Sequence, residues 1–455
     1  MRTRTELTEG SIQKGLLLYF LPIVAGTLLH QLYNTVDALV VGKYVGTEAL
    51  AAVGGSAAHI IQVINGFFSS LSGGAAVVLA QYYGAKDDEA VEQSAHTAVA
   101  FCALCGLALT LLGTLTTPWM LRVLRTTADS FADATLYLRI YFCGTAFVLL
   151  FNIASAILRA VGDSRSSFRY LALCCLCNIA LDFFFVLGLR AGVAGVAWAT
   201  VISQALSAAL CLGKLARAKG AYALRLRRLR LHGRILRRML RIGLPAGLQS
   251  SMYSVSNLIL QVGFNTLGTV VVASWTMTGK IDGVYWAISN AVGVALMNFV
   301  GQNYGAGKYD RVRASARVGL RLFFAVTLVL SAAILAAAPP LLRVLTDDPA
   351  VRETANAMLW QLAPFYFVFT FIEVLNGTLR GVGDTLVPFA ILGVGICALR
   401  LVWLGTAFVA NPTARTLCYC FPISWTVSSL AIAVYYLWFS RVKKMPASNS
   451  GKARV

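Results

Sequence analysis

The sequence predicts an all-α integral membrane protein in which twelve transmembrane helices form two parallel repeats of six. Three observations carry this. Of 455 residues, 58% are hydrophobic and 13% charged, about half the charged share of a soluble protein, and the mean hydropathy is +0.71. Twelve apolar stretches are each long enough, at about 20 residues, to cross about 30 Å of hydrocarbon as helix. Three short motifs recur at one fixed spacing. This composition excludes a water-soluble globule, and with it the disordered, collagen-like and disulfide-scaffold classes.

The stretches run approximately from 15 to 41, 49 to 80, 93 to 116, 134 to 158, 168 to 189, 192 to 214, 238 to 264, 270 to 300, 314 to 337, 356 to 379, 386 to 410 and 416 to 440. They read as helices because the runs are continuous and lack the ten-residue alternation of a barrel strand. The opening MRTRTELTEGSIQKG is polar and has no cleavage signature, so the first stretch is expected to be retained as a span. It carries Pro22 and Asp37; the fifth carries Asn178 and Asp182, the eighth Lys280 and Asp282, the tenth Glu373 and the eleventh Arg400. The expected organisation is an N-terminal bundle over 1–214, a basic cytoplasmic linker over 215–237, a C-terminal bundle over 238–440 and a disordered cytoplasmic tail over 441–455.

The net charge of +20 would suit nucleic acid if it were clustered on a soluble face. Instead it follows the membrane: with the N-terminus inside, 29 of the 39 Lys and Arg fall on the even loops and the two tails, and 8 on the odd loops. Both termini are therefore expected to be cytoplasmic. The densest block, Lys214 to Arg241, holds eleven Lys and Arg and reads as a solvated linker facing lipid headgroups. No nucleic-acid partner is expected. The ten cysteines lie mostly inside apolar runs with no His or acid at ligand spacing, and read as small lipid-compatible side chains.

The repeat is explicit. Gln81-Tyr82-Tyr83-Gly84-Ala85 recurs as Gln302-Asn303-Tyr304-Gly305-Ala306, Pro118–Leu124 (PWMLRVL) as Pro339–Leu345 (PPLLRVL), and Leu158–Asp163 (LRAVGD) as Leu379–Asp384 (LRGVGD), all 221 residues apart. Leu21-Pro22 pairs with Leu244-Pro245 at 223, which places a two-residue length difference near the first loop. An even number of spans per half inserts both halves in the same orientation.

An ionisable side chain at membrane depth costs at least about 2.5 kcal/mol and is a functional candidate by default. Asn178 and Asp182 share a helix face, as do His30, Asn34 and Asp37. Two carboxylates with amide and hydroxyl oxygens nearby suit a hard cation such as Na⁺ or a shared proton; interhelical hydrogen-bonding glue is the alternative. The repeat-related positions hold Leu260, Leu399 and Trp403 for Asp37, Asn178 and Asp182, so the fold does not itself require the cluster. Lys280 and Asp282, two apart, point to different sides of their helix and read as cavity-lining groups or as members of a salt bridge that fixes the helices. Glu373 stands where the first half has Asn152, and reads as a second protonation site or as a structural lock with Arg400. His30 reads first as a hydrogen-bonding histidine, and Tyr33, Tyr253, Tyr285 and Trp286 as aromatic faces for a flat cation or as packing groups. The candidates for a substrate cavity are His30, Tyr33, Asn34, Asn257, Lys280, Asp282, Glu373 and Arg400. No Walker loop, HExxH, nucleophile elbow or zinc spacing is present. The chain is therefore not expected to be an enzyme or to hold a cofactor, and uphill transport would draw on an ion gradient.

These residues carry a resemblance. The opening LPIVAGTLLHQLYNTVDALVVGKYVG, the two QxYGA loops, the paired LRxVGD motifs and the NxxxD of the fifth span make the chain similar, over about residues 10 to 440, to the MATE (multidrug and toxic compound extrusion) transporters, of the prokaryotic type with an acid on the first helix. The resemblance implies two six-helix bundles forming a V-shaped central cleft, and export of organic, often cationic, compounds in exchange for Na⁺ or H⁺ by alternating access. It also implies a cation site at Asp37, Asn178, Asp182 and Thr200, with the coupling ion in place of any cofactor. The glutamate that another branch of the family carries on helix seven is absent; the corresponding stretch offers Gln249, which favours coupling through the first half. The implied partners are small organic molecules and the bilayer, with the chain working as a monomer in the inner (plasma) membrane. Two rival readings are a flippase for a lipid-linked saccharide or peptidoglycan precursor and a membrane receptor or scaffold that no longer transports.

Overall fold

A computed structural model describes residues 6–446. Twelve long helices follow one another: α1 Ile12–Val45, α2 Glu48–Gly84, α3 Asp88–Val123, α4 Ala128–Ala160, α5 Ser164–Gly188, α6 Gly192–Ala216, α7 Gly233–Asn265, α8 Thr269–Gly305, α9 Tyr309–Leu345, α10 Pro349–Gly381, α11 Leu386–Phe408 and α12 Ala414–Lys444. Eleven are long and apolar enough to cross a membrane; α7, whose first turns are basic, is the twelfth. No strand occurs among the described residues. Several helices outrun the apolar stretches because their polar ends are capped. Asp87 accepts from the Ala90 N–H at 3.1 Å and Asp348 from the Ala350 N–H at 2.8 Å, each satisfying an orphan donor of a first turn.

The repeated motifs are the punctuation between helices. In LRxVGD, Gly162 and Gly383 take φ of 86° and 79°, left-handed values that end α4 and α10 at no steric cost. Asp163 then caps α5 through the Ser166 N–H at 3.0 Å, whereas Asp384 accepts from the Tyr435 hydroxyl at 2.8 Å. The length difference between halves resolves into two single residues. Twenty-four positions separate Pro22 from Gly46, but twenty-three separate Pro245 from Gly268; the extra one is absorbed where α1 widens into a π turn at Val41–Val45. The other falls in α2, interrupted at Gly55, while α8 is continuous.

Packing divides the chain into two compact units, Leu21–Gly247 and Glu6–Phe20 together with Leu248 onward. The chain passes between units inside α1, immediately before Pro22, and inside α7, just after Pro245. In the first unit α4 is central, packed on α2, α3 and α6; in the second α10 packs on α8, α9 and α12, the same pattern repeated. Close approach depends on small residues: a Cβ on Gly106 of α3 would lie 2.6 Å from the Ala146 Cα of α4. Leu107, Leu111, Leu115 and Trp119 of α3 form an outward apolar stripe, all more than half exposed.

Part of the expected basic linker is docked rather than solvated. His96 Nε2 accepts from the Arg225 N–H at 3.0 Å, the Thr97 hydroxyl accepts from the His232 N–H at 3.2 Å, and Arg228 pairs with Glu92 at 3.0 Å. The expected disordered tail needs correction over its first residues, since Arg441–Lys444 complete a helical turn with Val442 buried; the remainder, 447–455, lies outside the described residues. In the second unit, Arg311 donates to the carbonyls of Leu7, Glu9 and Gly10, and Lys308 to that of Thr8, which holds the leading segment in place.

Gly106→Val is expected to destabilise the protein by about 1–3 kcal/mol through overpacking, read as a lower melting temperature of the purified protein. Gly279→Ala, where nothing lies within 4 Å of an added Cβ, should leave it unchanged.

Candidate functional site

In the first unit, the π turn Val41–Val45 begins four residues after Asp37, and a second, Phe184–Gly188, begins two residues after Asp182. The two π turns touch each other. Such turns break the regular ladder and frequently mark functional sites. Asn178, Asp182 and Thr200 are all buried, at 1%, 0% and 5% exposure, and Asp37 is half-buried. The two carboxylates lie within electrostatic reach of each other, and Tyr137 of α4 lies within reach of both.

What distinguishes the cluster is its hydrogen-bond imbalance. Asp37 Oδ1, both Asp182 oxygens and Asn178 Oδ1 are buried acceptors with no donor; the only unmatched donor among these residues is Asn178 Nδ2. Thr200 spends its proton on the Val196 carbonyl at 3.2 Å, and Asn65 donates to the Tyr141 hydroxyl at 2.8 Å. Structural glue would pair such atoms with one another. An acceptor-rich, donor-poor set of buried groups instead fits a proton or a hard cation, whose charge offsets buried carboxylates that would otherwise be costly. No group of three His, Cys, Asp or Glu suited to a transition metal occurs among the described residues.

His30 and Asn34 are exposed and bond each other, Nδ1 to Nδ2 at 3.3 Å, with the imidazole edge-on to Tyr33 at 5.0 Å. They share a helix with Asp37 but no hydrogen bond links either of them to it.

In the second unit Asp282 is buried, but satisfied: it accepts from Trp286 Nε1 at 3.1 Å and from the Tyr366 hydroxyl at 3.3 Å. Tyr366 stacks on Tyr285 at 4.0 Å, and Trp286 packs edge-on to Phe369 and Trp425. Lys280 is exposed and joins no ion pair among the described residues, so the salt bridge considered from sequence is not formed. The proposed Glu373–Arg400 lock is also corrected. Glu373 packs on Gly293 and interacts with Arg380, two turns further along α10, while Arg400 is held by Asn257, Ser424 and the Phe421 ring. Helix position decides this: Arg380 shares the Glu373 face, whereas Arg400 lies on a different helix turned towards α7 and α12.

Sequence reasoning missed Tyr137 and Tyr366, which are unremarkable until folding brings them to an acid, and the Asn65–Tyr141 pair. It also missed a stripe on α7. Gln249, Tyr253, Asn257, Gln261 and Asn265 recur every four residues, with Gln249 donating to Tyr253 at 3.0 Å and Gln261 to Asn265 at 2.9 Å. That spacing was visible in the sequence.

Fold and site together define a polytopic membrane protein of the duplicated six-helix class, with a buried acid pair lacking donors confined to the first repeat. The chain belongs to the MatE family, whose sequence profile matches residues 22–184 and 245–403. It is similar to the probable multidrug resistance proteins YoeA and YpnP of Bacillus subtilis strain 168, at 26% identity over 96% of each chain and 27% over 95% of this chain and 96% of that one. Among solved structures it resembles an outward-facing multidrug resistance MATE family transporter of the MOP superfamily, with a TM-score of 0.89 at 22% identity over 97% of this chain and 98% of the other.

Because the acid pair has no donors, Asp182→Asn is expected to fold normally and to melt no lower than the parent. A fall in melting temperature of many degrees would mean that the carboxylate is structural.

Proposed function

We propose that this protein is a secondary active multidrug exporter, which moves organic, often cationic, compounds out of the cell in exchange for Na⁺ or H⁺. The observation that carries the reading is the set of unmatched buried acceptors around Asp37 and Asp182. Such a pocket has affinity for a proton or Na⁺ and none for an anion. Family membership and the multidrug resistance names of the relatives support the export of diverse organic compounds. Asp37, Asn178, Asp182 and Thr200 would receive the coupling ion, and Tyr33 of the same unit offers a π face for a cationic ring. The protein would sit in the cell membrane with both termini cytoplasmic, in keeping with its Lys and Arg distribution.

Coupling requires that the ion bind one of two conformations more tightly, and the free energy available is that difference in affinity. Occupation of the pocket by an ion would favour the state that releases substrate. Proline inside a helix removes a backbone hydrogen bond and weakens the helix there. Pro22 and Pro245 both lie where the chain passes from one compact unit to the other, which makes them suited to flex as the ion binds and leaves.

The test is efflux of ethidium from proteoliposomes under imposed Na⁺ or H⁺ gradients. Gradient-dependent efflux is expected from the parent, with a loss of at least ~10-fold in Asp37→Asn and in Asp182→Asn; efflux that survives in both variants would sink the coupling assignment. Pro22→Ala is expected to change the turnover rate while leaving membrane insertion intact, and identical kinetics would remove the flexing role.

A further inference from the structure

Arg400 is a buried cation with no acid beside it. It lies on the short α-helical stretch Leu399–Trp403 of α11, between π turns at Gly393–Ala398 and Leu404–Phe408. Only 4% of it is exposed. Its Nη1 donates to Asn257 Oδ1 at 3.0 Å, its Nε donates to the Ser424 hydroxyl at 3.3 Å, and its guanidinium lies 4.4 Å over the Phe421 ring. All three partners are neutral. Three carboxylates of this unit stand beside other groups: Asp282 accepts from Trp286 and Tyr366, Asp384 accepts from the Tyr435 hydroxyl and the Arg441 N–H, and Glu373 lies within electrostatic range of Arg380.

A guanidinium carries five N–H donors in a planar fork. Two are used here, and Nη2 meets no acceptor among the described residues. Burying that charge without a counter-ion is costly, and the deficit is removed by an anion that accepts from the unused edge. Asn257, which holds one side of the fork, is itself exposed and leaves its own amide donors without an acceptor. It stands at the centre of the uncharged stripe Gln249, Tyr253, Asn257, Gln261 and Asn265, which supplies polar groups to a ligand without adding a competing charge. The repeat-related position in the first half, Ile179, carries no charge. The two units therefore present opposite deficits, a missing cation in the first and a missing anion in the second.

We propose that Arg400 and Asn257 form an anion-binding site in the second unit that takes the carboxylate of an organic substrate. This rests on the exporter reading and extends its substrate class to zwitterionic and anionic carboxylates. A planar carboxylate matches the fork in two parallel hydrogen bonds, a geometry that a spherical inorganic anion does not exploit.

The test uses purified full-length protein and two dyes that differ in one group: rhodamine B, which carries a carboxylate, and its ethyl ester, which does not. Fluorescence polarisation is expected to show the parent binding the acid at least ~10-fold more tightly than the ester. Arg400→Gln should bring the ratio close to one, and Arg400→Lys should restore part of it. Asn257→Asp should also abolish the preference, because the introduced carboxylate occupies the guanidinium; this variant carries the test if Arg400→Gln does not fold. A ratio near one in the parent, or one unchanged in both Arg400→Gln and Asn257→Asp, overturns the proposal. So does a parent that shows no acid preference but melts at higher temperature as chloride replaces isethionate, with Arg400→Gln insensitive, since the site would then hold an inorganic anion. Ethidium efflux separates the two readings. Intact efflux without acid preference removes only the anion site, while acid preference without gradient-driven efflux leaves the site and removes the exporter.

Discussion

Desolvation of charge is the constraint on which the rest of the structure depends. In a bilayer no water is available to complete a polar group's hydrogen bonds, so every ionisable side chain at depth must find a partner in the protein or take one from solution. The chain applies this rule unevenly. Asp282 is completed by an indole and a phenol, and Glu373 has a guanidinium within electrostatic range on its own helix. Asp37 Oδ1 and both Asp182 oxygens are left incomplete. The difference separates carboxylates that the fold completes from ones that it leaves open.

Duplication makes the comparison internal. The two units pack their helices in the same pattern, so positions related by the repeat experience the same backbone with different side chains. Asp182 becomes Trp403, Asn178 becomes Leu399, Thr200 becomes Phe421 and Asn65 becomes Trp286. Where the first unit buries oxygen, the second buries ring carbon. The exchange replaces small polar side chains by larger apolar ones: the same helical scaffold carries unsatisfied buried acceptors in one repeat and an aromatic cluster in the other. Asn34 and Asn257 are among the few polar positions that both repeats keep, and even these have different partners, His30 in one and Arg400 in the other.

Much of the fold was legible in the sequence because its signals are one-dimensional. Long apolar runs, motifs at a fixed spacing and a biased distribution of Lys and Arg specify helices, repeat and expected orientation without reference to contacts. The candidate acids were legible for the same reason, since charge within an apolar run is conspicuous. What was not legible is pairing. Nothing in the sequence says that Glu373 meets Arg380 and not Arg400, because that depends on which helix turns which face inward. Tyr137 and Tyr366 are likewise ordinary until folding brings them to an acid. The polar stripe of α7 is a different case: Gln249, Tyr253 and Asn257 stand out singly in the sequence, but being uncharged they do not mark the four-residue spacing that joins them to Gln261 and Asn265.

The single-residue insertions bring these observations together. An extra residue inside a helix must either shift every side chain beyond it by about 100° or be absorbed locally as a π turn, which keeps the downstream register. The first repeat carries its extra residue at Val41–Val45, immediately beyond Asp37, and the second repeat lacks it. The insertion therefore leaves the packing of the later helices alone and alters only the geometry next to the acid. The π turn at Phe184–Gly188 does the same beyond Asp182 and touches the first. However, α11 carries a π turn at the related place, Leu404–Phe408, with no acid before it. The turn on α5 thus belongs to the shared scaffold and only the turn on α1 is particular to the first unit. Backbone and charge therefore change together in α1, where one added residue and one added carboxylate lie within two turns of each other, whereas on α5 the side chains change over a shared backbone.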